Sequence, residues 1–283
     1  MTARPALWML ASCLLFACMG VCVKFGADSL ATADIVFWRG AISVLMMGLL
    51  ARQRGIPLRT PHWRVHVSRS ISGSVALSCY FFAIATLPLA TAVTLNYTSP
   101  LWVAVLLAAV FGERLRPAGV LAMLCGFLGV VLLLQPTLDS GQWLGAAAGL
   151  GSGAVASIAY LSVHELGRIG EPVVRTVFWF SLVTTVFGLL GSLPEGGLHW
   201  PDGEQLALLL GVGLFGGLAQ LAMTRSYSYG HALVSANFSY TTVVFASLFG
   251  LLFWQEAIAA SSWAGVALII GGAIVISLKP RPA

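Results

Sequence analysis

Charged side chains are scarce in this chain. Only 9% of its 283 residues are Asp, Glu, Lys or Arg, whereas soluble domains carry about 25%. So few ionic groups cannot cover a water-exposed surface, which excludes a soluble globule and a large extramembrane catalytic or DNA-binding domain. The net charge of +5 is therefore read as a determinant of membrane orientation, and we expect no nucleic-acid partner.

The sequence also lacks motifs for a metal, a cofactor or a disulfide framework. Its five cysteines are odd in number, form no Cys-x-x-Cys pair and lie in apolar runs, where a thiol behaves as a small hydrophobic group. Cys13 follows Leu-Ala-Ser in the manner of a lipoprotein cleavage site. The apolar run continues past this cysteine, so we expect an uncleaved first transmembrane helix.

Long apolar runs fill most of the chain, and 58% of its residues are apolar. A helix needs about 20 such residues to cross a bilayer, which leaves room for about ten crossings. The runs are continuous rather than alternating, which favours helices over a β-barrel. The predicted spans are 6–26, 33–52, 69–87, 91–111, 117–135, 142–164, 174–192, 205–225, 232–253 and 262–279. The predicted fold class is an all-α polytopic membrane protein with ten transmembrane helices.

The distribution of Lys and Arg predicts the orientation. With the amino terminus in the cytoplasm, most basic residues fall on the cytoplasmic side, as the positive-inside rule requires. They are Arg4, Arg52, Arg54, Arg59, Arg64, Arg69, Arg114, Arg116, Arg168, Arg175, Arg225, Lys279 and Arg281. We therefore expect a multi-pass protein of the inner membrane with both termini cytoplasmic. The exceptions are Lys24, at the outer end of the first span, and Arg39, inside the second.

Short motifs recur 141 residues apart. Val-Phe-Trp at 36–38 recurs at 177–179, and Asn-Tyr-Thr at 96–98 matches Asn-Phe-Ser at 237–239. Each unit holds five spans, and because five is odd the second unit starts on the opposite side of the membrane. The prediction is two inverted five-helix repeats, residues 1–138 and 139–283, with a substrate site between them near mid-membrane.

Glycines recur at every fourth position in two of the predicted spans. These are Gly145, Gly149 and Gly153 in the sixth span, and Gly213 and Gly217 in the eighth. Small residues at this spacing bring helix backbones close together. We interpret them as packing residues.

Several stretches of the first unit resemble the EamA repeat of the drug/metabolite transporter superfamily: 83–92, 97–102 and 111–115. Stretches 223–227, 236–241 and 268–272 are similar to its second copy. The resemblance covers nearly the whole chain and implies a secondary transporter that works by alternating access. Family members are reported to move amino acids, nucleotide-linked metabolites, vitamins and cationic drugs. Thr241 stands where the first copy has Pro100, so we expect a proline kink in the fourth span only.

Arg39 is the most informative candidate for substrate binding. An unpartnered charge this deep costs several kcal/mol, from about 2.5 upward. Its guanidinium could bind a substrate carboxylate, pair with Asp34 or extend to the outer surface. Aromatic residues of the cavity helices offer apolar contact with a polar handle, and amides could bind substrate or bridge helices. The further candidates are Trp38, Tyr80, Asn96, Tyr97, Tyr160, His164, Trp179, Asn237 and Tyr240.

These observations predict an exporter of amino acids or related compounds. The expected partners are a small-molecule substrate and the lipid bilayer, and the assembly is a monomer or a homodimer. The alternative is an uptake carrier for a nucleotide-like or vitamin-like metabolite. No acid lies in mid-span, which argues against proton antiport through an intramembrane carboxylate. The sequence has no intramembrane nucleophile–base pair and no filter loop, which argues against an intramembrane enzyme and a channel.

Overall fold

A computed structural model describes residues 4–26, 29–87, 89–113, 115, 117–139, 141–255 and 260–278. The described residues form helices and connecting loops, without a β-strand. The helices are α1 (Arg4–Gly26), α2 (Thr32–Gln53), α3 (Trp63–Thr86), α4 (Leu89–Asn96), α5 (Ser99–Ala109), α6 (Pro117–Leu134), α7 (Trp143–Arg168), α8 (Val173–Ser192), α9 (Gly203–Tyr229), α10 (Ala232–Ser239), α11 (Thr241–Trp254) and α12 (Ala260–Leu278), with a 3-10 turn at Leu193–Glu195. Four basic residues used to predict the orientation, Arg114, Arg116, Lys279 and Arg281, lie outside the described residues.

Eight segments of the described chain are long and apolar enough to cross a membrane, with α4–α5 and α10–α11 each counted as one segment. α12 contributes a shorter apolar stretch, Ser262–Val275. α3 is 24 residues long but is not among these eight segments. It carries Arg69, His66 and several serines, which lower its mean hydropathy. The chain is therefore a polytopic α-helical membrane protein, as its composition predicts.

The helices of the first half pack against those of the second half. α1 lies against α9, α2 against α8, α3 against α7, and α6 against α12. The pairing is reciprocal, because the first helix of each half meets the third helix of the other. α2 also contacts α9, and α3 also contacts α8. These four helices surround the centre of the bundle.

Glycine permits the closest of these helix contacts. A Cβ atom at Gly40 of α2 would lie 2.4 Å from Thr185 Oγ1 and 2.7 Å from the Thr185 backbone nitrogen on α8. Gly129 of α6 and Gly265 of α12 face each other's carbonyl oxygen in the same way. The packing role predicted for the glycines of the sixth and eighth spans is also confirmed. Side chains of neighbouring helices lie within 3.1 Å of the Cβ position at Gly145, Gly149, Gly153, Gly213 and Gly217.

Two of the membrane-length segments are interrupted near matching positions of the two halves. α4 ends at Asn96 and α5 begins at Ser99, while α10 ends at Ser239 and α11 begins at Thr241. A proline stands only at the first interruption, as the sequence predicts. The second half also interrupts its helix, at Tyr240 and without a proline.

Hydroxyl groups explain the second interruption. Thr98 Oγ1 donates to the Leu95 carbonyl at 2.6 Å in the first half, and Thr241 Oγ1 donates to the Phe238 carbonyl in the second. The Cys13 thiol of α1 also donates to the Phe238 carbonyl, at 3.5 Å. Side chains that bind backbone carbonyls compete with the helical ladder and bend it. The threonine bond is common to both interruptions; the first half adds Pro100, and the second half adds the Cys13 thiol.

Gly40 offers a direct test of the α2–α8 contact. Gly40→Ala places a methyl group against the Thr185 backbone, so we expect a loss of about 1–3 kcal/mol of stability from overpacking. The apparent melting temperature of the purified protein in detergent measures this loss. Gly20→Ala is the matched control, since a Cβ atom at Gly20 meets nothing within 4 Å. Equal melting temperatures for the two variants would contradict the close contact.

Candidate functional site

Two arginines share the same binding wall. Arg39 lies on α2 and Arg69 on α3; Arg39 lines a cavity with Phe180 and Gln220, and Arg69 contacts both of these residues. α3 begins at Trp63, six residues before the predicted start of the third span. Arg69 is therefore almost two turns inside the helix, and it is only 3% exposed. The predicted start of the third helix is therefore corrected from residue 69 to residue 63.

Arg69 is held by neutral partners. Its Nη2 donates to Gln220 Oε1 of α9 at 3.3 Å, and its guanidinium carbon lies 4.0 Å from the centre of the Phe180 ring on α8. Gly73 leaves the room for the Arg69 side chain, because a Cβ atom there would lie 2.4 Å from Nη1. The buried Nε has no hydrogen-bond partner among the described residues. Arg69 thus retains unused donors inside the bundle.

Arg39 also lacks an acidic partner. Asp34 is bound by His199 instead, through the His199 backbone nitrogen at 3.3 Å and Nδ1 at 3.0 Å. The Arg39 side chain lies against Gly216 near the middle of α9, while Ile42, further along α2, packs against Gly213. The arginine therefore reaches inward, and both a pair with Asp34 and an extension to the outer surface are wrong. Its buried Nε has no hydrogen-bond partner among the described residues.

A narrow cavity opens beside the two arginines. It has about 10 Å³ of free space, on the order of room for one water molecule. Its walls are the side chains of α2, α8 and α9: Arg39, Gly40, Ser43, Phe180, Ser181, Thr184 and Gln220. Arg69 borders the same group through Phe180 and Gln220. A solute larger than water requires these helices to move apart.

A polar stripe on α9 leads away from the arginines. Gln220 is followed by Thr224 and Tyr227 on one face of the helix, about 10 Å along its axis. The hydroxyls of Thr224 and Tyr227 are buried without a partner among the described residues. The Tyr227 ring stacks on Tyr160 of α7 with centroids 5.2 Å apart. Gln220, which accepts the bond from Arg69, is the first residue of this stripe, so the stripe continues directly from the arginine.

The two repeat-matched asparagines have different environments. Asn96 Nδ2 donates to Ser152 Oγ of α7 at 2.9 Å, so this amide bridges two helices. Asn237 is 1% exposed, and both of its amide atoms lack a partner among the described residues. Gly126 of α6 leaves room for the Asn237 amide, 3.2 Å from its Cβ position. Asn237 is thus an unused polar group beside an interrupted helix.

Tyr97 and Tyr240 lie together at the two helix interruptions, with ring centroids 6.4 Å apart. The Tyr240 hydroxyl is buried without a partner among the described residues. Tyr97, Tyr160 and Tyr240 belong to one packed cluster, and Gly126 lies beside both Tyr240 and Asn237. Tyr80 is half-buried on α3.

Of the three other predicted site residues, Trp38 and Trp179 lie apart from this region, and the His164 ring is hydrogen-bonded only to the backbone of Tyr227 among the described residues. The Trp38 ring lies 5.8 Å from the ring of Trp200, which belongs to the loop between α8 and α9. His164 Nδ1 is hydrogen-bonded to the Tyr227 carbonyl at 2.9 Å, which joins α7 to the end of α9. Trp179 Nε1 donates to the Leu58 carbonyl at 3.0 Å. His164 and Trp179 thus fix helices and a loop.

A buried ion-pair cluster ties the α2–α3 loop, residues 54–62, to the start of α8. The Glu171 carboxylate accepts hydrogen bonds from Thr60 and, at 2.6 Å, from Arg175 Nη1. His66 Nε2 lies 3.7 Å from the same carboxylate, and Arg175 Nε donates to the Pro57 carbonyl at 2.7 Å. We call these four side chains (Thr60, His66, Glu171 and Arg175) the latch. Burial raises the pKa of Glu171, but the bonds from Thr60 and Arg175 outweigh burial and hold that pKa below its usual value.

Arg69, Tyr227 and Glu171 were not among the sequence candidates. In the sequence, Arg69 and Glu171 look like ordinary charged residues near helix ends. The sequence does not determine where α3 begins, which decides the depth of Arg69, or that the α2–α3 loop contacts Glu171. One signal was present for Arg69, namely Gly73 one turn later on a serine-rich helix. Tyr227 is recognisable only through its stacking partner Tyr160.

A multi-pass helical protein with unpaired charges at its centre has the architecture of a membrane transporter. The EamA-like transporter family matches residues 3–135 and 143–278. The chain therefore belongs to the EamA-like transporter family, and the resemblance noted in the sequence is confirmed.

Individual relatives cover nearly the full chain. The pseudopaline exporter CntI of Pseudomonas aeruginosa (strain UCBPP-PA14) is 34% identical over 93% of this chain and 92% of its own. A riboflavin transporter of Brucella anthropi is 27% identical over 95% of this chain and 96% of its own. A crystal structure at 23% identity superposes with a TM-score of 0.87 over 97% of this chain and 98% of the other, which shows a shared fold.

The latch makes stability depend on pH. Because the pKa of Glu171 is lower in the folded protein, its contribution is complete above the unfolded pKa of about 4.3 and is lost as pH falls through the folded pKa. We expect Glu171→Gln to lower the free energy of unfolding by about 1–3 kcal/mol at pH 7. The variant should also lose less stability than the wild type as the pH falls from 7 to 3. Melting temperatures in detergent from pH 7 down to pH 3 measure both effects. Glu165→Gln is the control, since its ion-pair partner within the described residues is the exposed Arg168.

The two asparagines should respond differently to substitution. Asn96→Leu breaks the bond to Ser152, so we expect a loss of about 1 kcal/mol of stability. Asn237→Leu removes an amide without a partner, so we expect unchanged or higher stability together with slower transport. Melting temperature and solute flux are measured for both variants. A large stability loss in Asn237→Leu would indicate a structural partner and contradict the assignment.

Proposed function

We propose that this chain is a secondary carrier that exports amino acids or related carboxylates from the cytoplasm by alternating access. One observation carries the proposal: Arg69 is buried, Arg39 is half-buried with a buried Nε, and neither has an acidic partner among the described residues. A guanidinium presents a fork of donors that matches a carboxylate in bidentate fashion. A carboxylate substrate would supply the missing counter-charge.

The reciprocal packing of the helices supports two inverted repeats, residues 1–138 and 139–283. α1 pairs with α9 and α3 pairs with α7, as a two-fold axis in the membrane plane requires. In this arrangement α3 and α12 complete ten crossings, because a polar helix can span a membrane when its polar face lies inside the bundle. All of the site residues come from one chain, so a monomer can form the pathway and a homodimer remains compatible with it.

Positive-inside orientation places the latch on the cytoplasmic side of the inner membrane, together with both termini. The latch then closes the cytoplasmic end while the cavity beside Arg39 stays narrow. Opening toward the cytoplasm requires the α2–α3 loop to leave Glu171 and Arg175. Glycine contacts such as Gly40 against Thr185 allow closely packed helices to slide between two packed states.

The relatives support a carrier of a small organic solute. The name of the Pseudomonas relative describes export, which favours the outward direction for this chain. The name of the Brucella relative describes riboflavin, and the stacked Tyr160 and Tyr227 rings offer a surface for a planar group. An uptake carrier for a vitamin-like metabolite is therefore the second candidate.

Arg39→Ala and Arg69→Ala test the proposal. Each variant removes a charge-assisted bond to a carboxylate, so we expect a loss of at least about 10-fold in transport. The measurement is the saturable flux of labelled amino acids in proteoliposomes. The flux of riboflavin is measured in parallel, as a test of the second candidate. Arg168→Ala is the matched control, because Arg168 is exposed and its one acidic partner in the described part of the chain is Glu165.

The outcomes separate the candidates. Saturable amino-acid flux that survives in Arg168→Ala but not in the two variants supports the carboxylate carrier. Flux of riboflavin alone supports the second candidate. No saturable flux of any tested solute by correctly folded protein contradicts the proposed function.

A further inference from the structure

The positive charge of the central site is not balanced by the protein around it. Among the described residues the buried acids are Asp34 and Glu171, each 6% exposed or less. Asp34 is bound to His199, and Glu171 belongs to the latch with Arg175. Neither carboxylate contacts Arg39 or Arg69. The described part of the site therefore carries two positive charges.

The partners that the site does supply are all uncharged. Arg69 has one long bond to the Gln220 amide and the face of the Phe180 ring. Arg39 has the backbone of Gly216 nearby. A guanidinium has five N–H donors, so each arginine has donors left for a ligand. The two guanidinium groups, one on α2 and one on α3, can therefore bind two anionic groups.

Candidate ligands differ in how they change this balance. A monocarboxylate compensates one of the two charges and leaves the other buried. A zwitterionic amino acid adds an ammonium group, and the cavity wall offers it only the hydroxyls of Ser43, Ser181 and Thr184 and the Gln220 amide. Burying an uncompensated charge is costly. A ligand with two negative charges is the one that leaves the site neutral.

We propose that the site at Arg39 and Arg69 selects substrates with two negative charges, of which dicarboxylates are the simplest. This inference rests on the proposed function and narrows its substrate class. It predicts that net charge, rather than carbon skeleton, decides affinity at this site. Arg39 and Arg69 each bind one anionic group.

A series of five-carbon compounds separates charge from size. Glutarate carries two negative charges, its monomethyl ester carries one, and L-glutamine is a zwitterion without net charge. Counterflow of each compound is measured in proteoliposomes that contain the purified full chain. We expect a half-saturation concentration for glutarate at least about 10-fold below that of the monoester, because one charge-assisted contact is lost. Glycerol 3-phosphate tests whether a phosphate monoester supplies the same charge.

Variants assign the preference to the two arginines. In Arg39→Gln and in Arg69→Gln we expect the advantage of glutarate over the monoester to fall below about threefold, since one counter-charge is gone. Arg69→Lys retains the charge and is expected to retain part of the advantage, which separates charge loss from misfolding. Arg168→Gln serves as the exposed control and retains the full preference. Gel filtration checks that each variant is folded and monodisperse.

The possible results lead to different conclusions. Equal half-saturation for glutarate and its monoester overturns the inference, while saturable flux of either compound leaves the proposed function standing. Tighter binding of glycerol 3-phosphate than of glutarate supports the dianion rule with phosphate as the anion. Absence of saturable flux for every compound and for the amino-acid panel overturns both the inference and the proposed function.

Discussion

A guanidinium group inside a membrane must be bound by polar groups, water or an anion, because isolation costs several kcal/mol. This protein places two of them, Arg39 and Arg69, between the same helices. The surrounding structure provides space rather than counter-charge: Gly73 and Gly216 leave room for the side chains, while Gln220 and Phe180 contact Arg69. The rest of the bundle is apolar enough to keep this polar region in its centre.

The interrupted helices follow from a related constraint on the backbone. Carbonyl groups in a bilayer must find donors within the protein, and a break in a helix exposes several at once. Thr98 and Thr241 supply hydroxyl donors at the two breaks, and the Cys13 thiol adds one more. The second half therefore reproduces the break of the first half without its proline. The two interruptions thus share a threonine bond and differ in their other local chemistry.

The sequence was sufficient to predict the helical membrane class, the family and the packing role of the glycines, because these depend on composition and short-range spacing. It was insufficient where partners come from distant segments. Asn96 and Asn237 match in the sequence, yet among the described residues Asn96 has a side-chain partner, Ser152, and the Asn237 amide has none. Arg69 was misplaced because a shift of six residues in the start of α3 moves its side chain almost two turns along the helix.

The α2–α3 loop joins the two helices that carry the central arginines, and the latch ties this loop to the start of α8. Phe180, which contacts Arg69, lies on α8 as well. Separating the loop from α8 would thus pull Arg69 away from part of its own binding wall. In this geometry, an opening of the latch that admits solvent would also remove Phe180 from Arg69 and so lower the affinity of the arginine site for its ligand.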